Sequence, residues 1–230
     1  MMFLLLLLVA MAIAIKLFAP NIKGRIGEGW VNLAAKLRLD PELYHLLHDV
    51  TIPSRNGTTQ IDHVIVSVFG LFVIETKNYK GWIYASSQDP QWTQVHFRQK
   101  HRFQNPLRQN VAHICALSEL LGISKDNIHG VVCFMGEATF KTPVPEGVFL
   151  EGRYVNHIQS FRTELFSKEQ VAQWVQQIES GRLERGFKTN RQHVRQLNAR
   201  STPVDRKSGG DDVPSCPACG AEMVLRTARK

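Results

Sequence analysis

Two β-branched runs meeting at a Phe-Gly turn constrain this chain more than any other feature. Ile61 to Val68 reads IDHVIVSV and Leu71 to Lys77 reads LFVIETK, with Phe69-Gly70 between them. Val, Ile and Phe favour strands, and a glycine between two such runs signals a turn. The segment is therefore predicted to form a hairpin of consecutive antiparallel strands. Side chains two apart on a strand share a face, so Glu75 and Lys77 project together. Asp62 stands near the start of the first strand, and the turn brings the end of the second strand back to it. Two carboxylates and an ammonium group converge at one edge of an otherwise apolar hairpin.

The flanking patterns supply the rest of a fold. Ile22, Ile26, Trp30, Leu33 and Leu37 recur at helical spacing, predicting an amphipathic helix that Asp40-Pro41 ends. Tyr44 to Ile52 reads as a strand, Pro53 to Thr59 as a turn, and Trp82 to Ala85 and Trp92 to Phe97 as two short strands. Pro106 opens a second helix with Leu107, Val111, Ile114, Leu117 and Leu121 as its apolar face and Gly122 as its stop. Ile128 to Met135 reads as a central strand, and Val148 to Leu150 and Tyr154 to His157 as short strands or loop. Lys168 to Glu179 and Arg191 to Asn198 read as helices. This order predicts an α/β layered domain with a mixed sheet.

The 230 residues divide into an apolar segment 1–20, a core 21–135, and strands and helices 136–200 that complete the domain. A Pro-, Gly- and Ser-containing linker 201–215 and a tail 216–230 follow. Met1 to Ile15 is uninterrupted apolar sequence, and Leu17, Phe18 and Ala19 follow Lys16. With Lys16 snorkelling to the interface, residues 1–19 approach the length that spans a bilayer. The expectation is an uncleaved single-pass transmembrane helix. Lys16, Lys23 and Arg25 follow it, which puts the remainder on the cytoplasmic side of the cytoplasmic membrane. A cleaved signal segment or a buried helix are the alternatives.

The net charge of +8 favours a polyanionic partner, nucleic acid or an anionic membrane surface. No acidic residue lies between Asp89 and Glu119, a stretch holding Arg98, Lys100, Arg102 and Arg108. Arg182 to Lys207 holds eight Lys or Arg against Glu184 and Asp205. Either run also reads simply as a solvated face. Cys115 and Cys133 lie within helix-like and strand-like patterns and are expected as reduced core residues.

The charged edge of the hairpin suits divalent-metal chemistry. Two neighbouring carboxylates repel unless a cation or a proton compensates them. Mg²⁺ or Mn²⁺ prefers oxygen ligands and keeps several waters, so Asp62 and Glu75 plus substrate phosphate oxygens would satisfy it. Lys77 would orient the attacking water or neutralise the transition state. As bare spacing, the same residues also describe a surface ion pair. His63 is expected to point away from Asp62, Trp82 and Trp92 to pack, and Tyr79 and Lys80 either to touch a nucleic-acid backbone or to be ordinary loop residues.

The segments GRIGEGWVNLAAKL, DVTIPSRNGTTQIDHVIVSVFGLFVIETKNYKGWIYAS and FQNPLRQNVAHICAL resemble the nuclease-related (NERD) domain over about Gly24 to Leu121. That family is grouped with the PD-(D/E)xK nucleases, so the resemblance implies a restriction-endonuclease-like α/β core with a mixed sheet flanked by helices. It implies that Asp62 is the first acid, Glu75 and Lys77 the E-x-K pair, and Glu28 an acid from the first helix. Asn105 and Gln109 would be polar positions of the following helix. Periodicity alone puts Glu28 on a solvated face; only the resemblance brings that face to the site. Gln109 equally suits a capping or hydrogen-bonding role.

The run CPACGAEMVLRTARK from Cys216 resembles the opening half of the four-cysteine zinc ribbon of bacterial type I topoisomerases. Structural zinc takes four ligands, and Cys216 and Cys219 supply two, so the tail reads either as an unmetallated segment or as a partial Zn²⁺ site, from a fragmentary or decayed ribbon or one completed by another chain. The overall expectation is a membrane-anchored, Mg²⁺- or Mn²⁺-dependent phosphodiesterase acting on DNA, with no small-molecule cofactor. A non-catalytic nucleic-acid-binding module on the same fold, or a membrane-tethered interaction protein, are the rival readings.

Overall fold

A computed structural model describes residues 26–55 and 57–183. The proposed membrane segment, the linker, the helix expected at Arg191 to Asn198 and the Cys216–Cys219 pair lie outside the described residues. Among the described residues, no helix is long and apolar enough to cross a membrane.

Helix α1 spans residues 26–38. Strands β1 (Tyr44–Ser54), β2 (Gly57–Ser67) and β3 (Gly70–Asn78) follow as an antiparallel meander. After β4 (Gly81–Tyr84), β5 (Gln91–His96) and β6 (Gln99–Gln104) comes helix α2 (Pro106–Leu121). Strands β7 (Ile128–Met135), β8 (Ala138–Phe140) and β9 (Val148–Leu150) and helices α3 (Arg153–Ser160) and α4 (Lys168–Gly181) complete the fold. The main sheet has the order β1-β2-β3-β7-β9, with β7 parallel to both β3 and β9. A second sheet runs β6-β5-β4-β8.

The main sheet is covered on both faces. On one, Val64, Val66, Leu71 and Val73 meet Leu117 and Leu121 of α2 and Val171, Trp174 and Ile178 of α4. On the other, Ile65, Phe72, Ile74, Val131 and Cys133 meet Val31 and Ala35 of α1 and Tyr154, Val155 and Ile158 of α3. Burial on two faces explains why β2 and β3 are near-continuous apolar runs. The second sheet seals its inner face, Ile83, Trp92 and Phe103, against Val132, Phe134 and Val148. Each large apolar side chain fully buried in this way contributes roughly 1.5–3 kcal/mol. Cys115 and Cys133 are buried free thiols, as expected.

Several sequence expectations are corrected. On α1 the buried positions are Gly27, Val31 and Ala35, with Leu39 just beyond its end, whereas Ile26, Trp30, Leu33 and Leu37 are exposed. The reason is steric. A Cβ on Gly27 would lie 2.8 Å from Asn78 Cβ, so the helix lies too close to the sheet for a large side chain there. On α2 the inward face carries Asn110, His113 and Leu117, and Val111 faces outward. Gly122 does end α2, with a left-handed φ of 66°. Tyr154 to His157 is helical, within α3. There the Tyr154 hydroxyl donates to Val31 O at 2.6 Å, and Gln159 Nε2 donates to Arg38 O at 2.8 Å, tying α3 to α1. Strand β6 was not expected, because QKHRFQ buries only Phe103.

Candidate functional site

Asp62, in the middle of β2 rather than near its start, and Glu75 and Lys77, in the second half of β3, are brought together where the β2–β3 ladder stops. The ladder between these strands begins at the pair His63–Ile74, so Asp62 and Glu75 stand just beyond it. The β1–β2 register omits Asp49 and Asp62, and Asp49 has a left-handed φ of 55°. Leu47 and Val50, three apart, both enter the α2-side core, as do Ile61 and Val64. Strict alternation is broken at that point, a distortion of the kind that re-aims side chains. Asp62 Oδ2 there accepts a hydrogen bond from Thr76 N–H at 2.7 Å.

Glu75 is the buried centre of the group, 3% exposed. Lys77 Nζ donates to its Oε1 at 2.5 Å and to Gln109 Oε1 on α2 at 3.2 Å. The other oxygen, Oε2, lies 3.3 Å from His113 Nε2, and His113 Nδ1 lies 2.8 Å from Thr59 Oγ1. A carboxylate only accepts, so Nε2 carries the proton; in the neutral ring the Thr59 hydroxyl then donates to Nδ1. Glu75 is thereby fixed from two directions.

The charges respond to one another. Burial opposes the Glu75 carboxylate, but the Lys77 ammonium and His113 outweigh it and hold the carboxyl below its usual range. Burial likewise opposes the Lys77 charge, and Glu75 more than restores it, raising its pKa. Asp62 is pushed well above the carboxylate range by burial and then by the charge of Glu75, against the Thr76 N–H and Lys77. One carboxyl is held ionised and its neighbour is discouraged from ionising, the pattern of a pair short of positive charge. These two acids fit a hard divalent cation, which would relieve that conflict. Among the described residues no group of three or more His, Cys, Asp or Glu converges on a metal centre. An ion here would draw the rest of its shell from water or substrate.

Glu28 lies on the side of α1 that faces the sheet, half-buried, close enough for its charge to raise the Asp62 pKa. The first turn of α1 comes over the end of β3 because Gly27 lets it approach Asn78. Asn105 has a different place. It caps α2, accepting from Leu107 N–H at 2.9 Å, while its Nδ2 donates to Asp89 O at 2.7 Å and to Ser86 O and Ser87 O at 3.3 Å. It clamps the β4–β5 loop to the helix and does not touch the acids. His63 is buried with neither ring nitrogen hydrogen-bonded. Trp92 packs as expected, but Trp82 is half exposed.

His113 and Thr59 escaped the sequence reading. The available signal was a histidine four residues after Gln109, which puts both on one helical face. Tyr79, beside Lys77 and Glu75, has its hydroxyl pKa raised by burial, and its ring meets Phe103 edge-on at 4.8 Å. It joins the charged corner to the second sheet.

The same stretch of chain that builds this corner matches a family model, the nuclease-related domain, over residues 23–135. Residues 23–135 are a nuclease-related domain. A curated relative, described as an uncharacterized protein of Bacillus anthracis, is 47% identical over 108 residues. Those residues are 46% of this chain and 50% of that protein, so the chain spans about half the length of the curated relative it matches. No solved structure matches this chain. The nuclease-related domain contains Glu28, Asp62, Glu75, Lys77, Gln109 and His113, and its mixed sheet with helices on both faces fits a nuclease-like core.

Proposed function

We propose that the protein is a membrane-anchored, Mg²⁺- or Mn²⁺-dependent phosphodiesterase acting on DNA, with a PD-(D/E)xK-type core. The observation that carries this reading is Glu75, a buried carboxylate held ionised by Lys77 and His113 beside an Asp62 whose ionisation it opposes. Asp62 and Glu75 would hold the ion, which when bound would lower the pKa of a water and stabilise charge on the scissile phosphate. Lys77, within reach of Glu75 and Gln109, holds an ammonium group where negative charge develops during attack. Gln109 and His113 position Lys77 and Glu75, and Glu28 adds a supporting acid.

A cleavage assay tests this. The full chain in detergent, with Mg²⁺ or Mn²⁺, is expected to cut plasmid or linear DNA. Glu75→Gln and Asp62→Asn are each expected to lose roughly 10³-fold or more of that rate. Absence of cleavage by the wild type, or cleavage that survives Glu75→Gln, would overturn it. A second reading, a nucleic-acid-binding module without catalysis, draws on Glu75 having both oxygens engaged by Lys77 and His113. It predicts DNA binding without metal-dependent cutting.

Membrane attachment through residues 1–19 is part of the proposal. It is supported by the exposed Ile26, Trp30, Leu33 and Leu37 on the first helix after that segment, a face suited to a lipid interface. The expected outcome is that the full chain stays with membranes after an alkaline carbonate wash. Release into the supernatant would overturn attachment through residues 1–19.

A further inference from the structure

The second sheet has an outer face that core packing leaves unexplained. Strand register assigns it. Trp82 stands opposite Val95 and Thr139, and Tyr84 opposite Thr93; Val95 in turn pairs with Lys100, and Thr93 with Arg102. Opposite residues in a ladder share a face. Trp82, Tyr84, Lys100 and Arg102 therefore share one surface, while Ile83, Trp92 and Phe103 point inward. Trp82 is 50% exposed and Tyr84 41%. Lys141, beyond the end of β8, places its ammonium 4.7 Å from the centre of the Trp82 ring.

The order of strands sets two rings in the middle and cations on both flanks. Lys100 and Arg102 lie two strands to one side, roughly 10 Å away, and Lys141 lies on the other. No acidic side chain occupies this face in the four strands. Trp82 and Tyr84 are two residues apart on one strand, roughly 7 Å, about twice the 3.4 Å step of a stacked strand. Each ring is thus spaced to take one base of a stretched, unstacked chain, and the flanking cations to take its phosphates. A duplex hides its base faces, so its fit to exposed rings is poor. Exposed aromatic rings beside a basic track are the general means of holding single strands without sequence preference.

We infer that the outer face of the second sheet is a docking platform for single-stranded nucleic acid, with Trp82 and Tyr84 stacking on bases and Lys100, Arg102 and Lys141 meeting the backbone. This rests on the nucleic-acid reading of the domain and specifies its substrate class. Lys77 and Trp82 are five residues apart, so their α-carbons are at most about 18 Å from each other. That span is a few nucleotides of extended strand, so the rings lie within reach of the charged corner for one bound chain.

The test uses the full chain in detergent with EDTA, so that binding is read without cleavage. Fluorescence anisotropy with a labelled oligothymidylate, against a blunt duplex of equal length, is expected to show tighter binding of the single strand. Trp82→Ala with Tyr84→Ala is expected to weaken it at least tenfold, and Trp82→Phe, which keeps a ring, to retain most of it. Lys100→Ala with Arg102→Ala is expected to lower the slope of log affinity against log salt by about 1.4. Circular dichroism melting confirms that each variant is folded; if the double ring variant is not, Trp82→Phe against Trp82→Ala decides. Wild-type preference for duplex, no measurable binding, or ring variants within twofold of wild type would overturn the platform. Glu75→Gln separates this from the catalytic reading, since it is expected to lose cleavage and keep single-strand binding. Cleavage that persists in ring variants of unchanged affinity would remove the platform and leave the nuclease.

Discussion

Glu75 and His63 show how differently one sheet treats two buried ionisable side chains. Glu75 is surrounded by donors, and its charge is held. His63 has none, and burial, with help from His48, lowers its pKa to about 4. A folded-state pKa below the unfolded value means that the unfolded chain binds the extra proton more readily. The neutral ring is therefore tolerated above the unfolded value, and stability is lost as pH falls from about 6.5 towards 4. The loss from this group alone is expected to reach roughly 3 kcal/mol. Urea unfolding at a series of pH values in EDTA should show a shallower fall over that window for His63→Leu than for wild type. Equal slopes would mean that other groups carry the acid sensitivity. The nearness of Asp62, Glu75 and Lys77 was legible in sequence because one turn sets the hairpin register and period-two spacing puts Glu75 and Lys77 on one face. His113 was not, since its partner on β3 is 38 residues away and its spacing of four from Gln109 does not by itself point to a carboxylate.

Elements that approach one another closely are the ones hydropathy misjudged. The large apolar residues of α1 drew the expected face to Ile26, Trp30, Leu33 and Leu37. The sheet instead receives Gly27, Val31 and Ala35, whose small size permits contact at the range Asn78 imposes. Glu28, which periodicity put on a solvated face, is half-buried and close enough to Asp62 for their charges to interact. The β2–β3 hairpin, β7 and the Gly122 stop were readable because strong β propensity and turn chemistry coincide there. Strand β6 was hidden by its charge, being a strand with one buried side chain whose partners come from register alone. Asn105 belongs to this scale too, joining α2 to the 86–89 loop through its cap and three carbonyl contacts. Asn105→Ala removes the cap, worth about 1 kcal/mol, and the amide's hydrogen bonds to the 86–89 loop, worth roughly 0.5–1.5 kcal/mol more. Urea denaturation is expected to show a loss of about 1.5–2.5 kcal/mol with Glu75 and Lys77 untouched. A loss below about 0.5 kcal/mol would show that the loop is held by other means.

For the whole molecule, the two helical layers and the second sheet serve to bring a few charged groups from distant segments to one corner. Glu28 comes from α1, Asp62 from β2, Glu75 and Lys77 from β3, and Gln109 and His113 from α2. The net charge of +8 suits a polyanionic substrate but does not say where it lies; strand register, which composition does not reveal, points to the outer face of the second sheet. The proposed function requires Asp62 and Glu75 together to bind one divalent ion. Electron paramagnetic resonance of Mn²⁺ titrated into the full chain in detergent tests this without requiring turnover. One bound ion per chain is expected for the wild type, with binding weakened at least tenfold by Asp62→Asn and by Glu75→Gln. A wild type that leaves all Mn²⁺ free, or variants that bind it as tightly as the wild type, would contradict a metal site at Asp62 and Glu75.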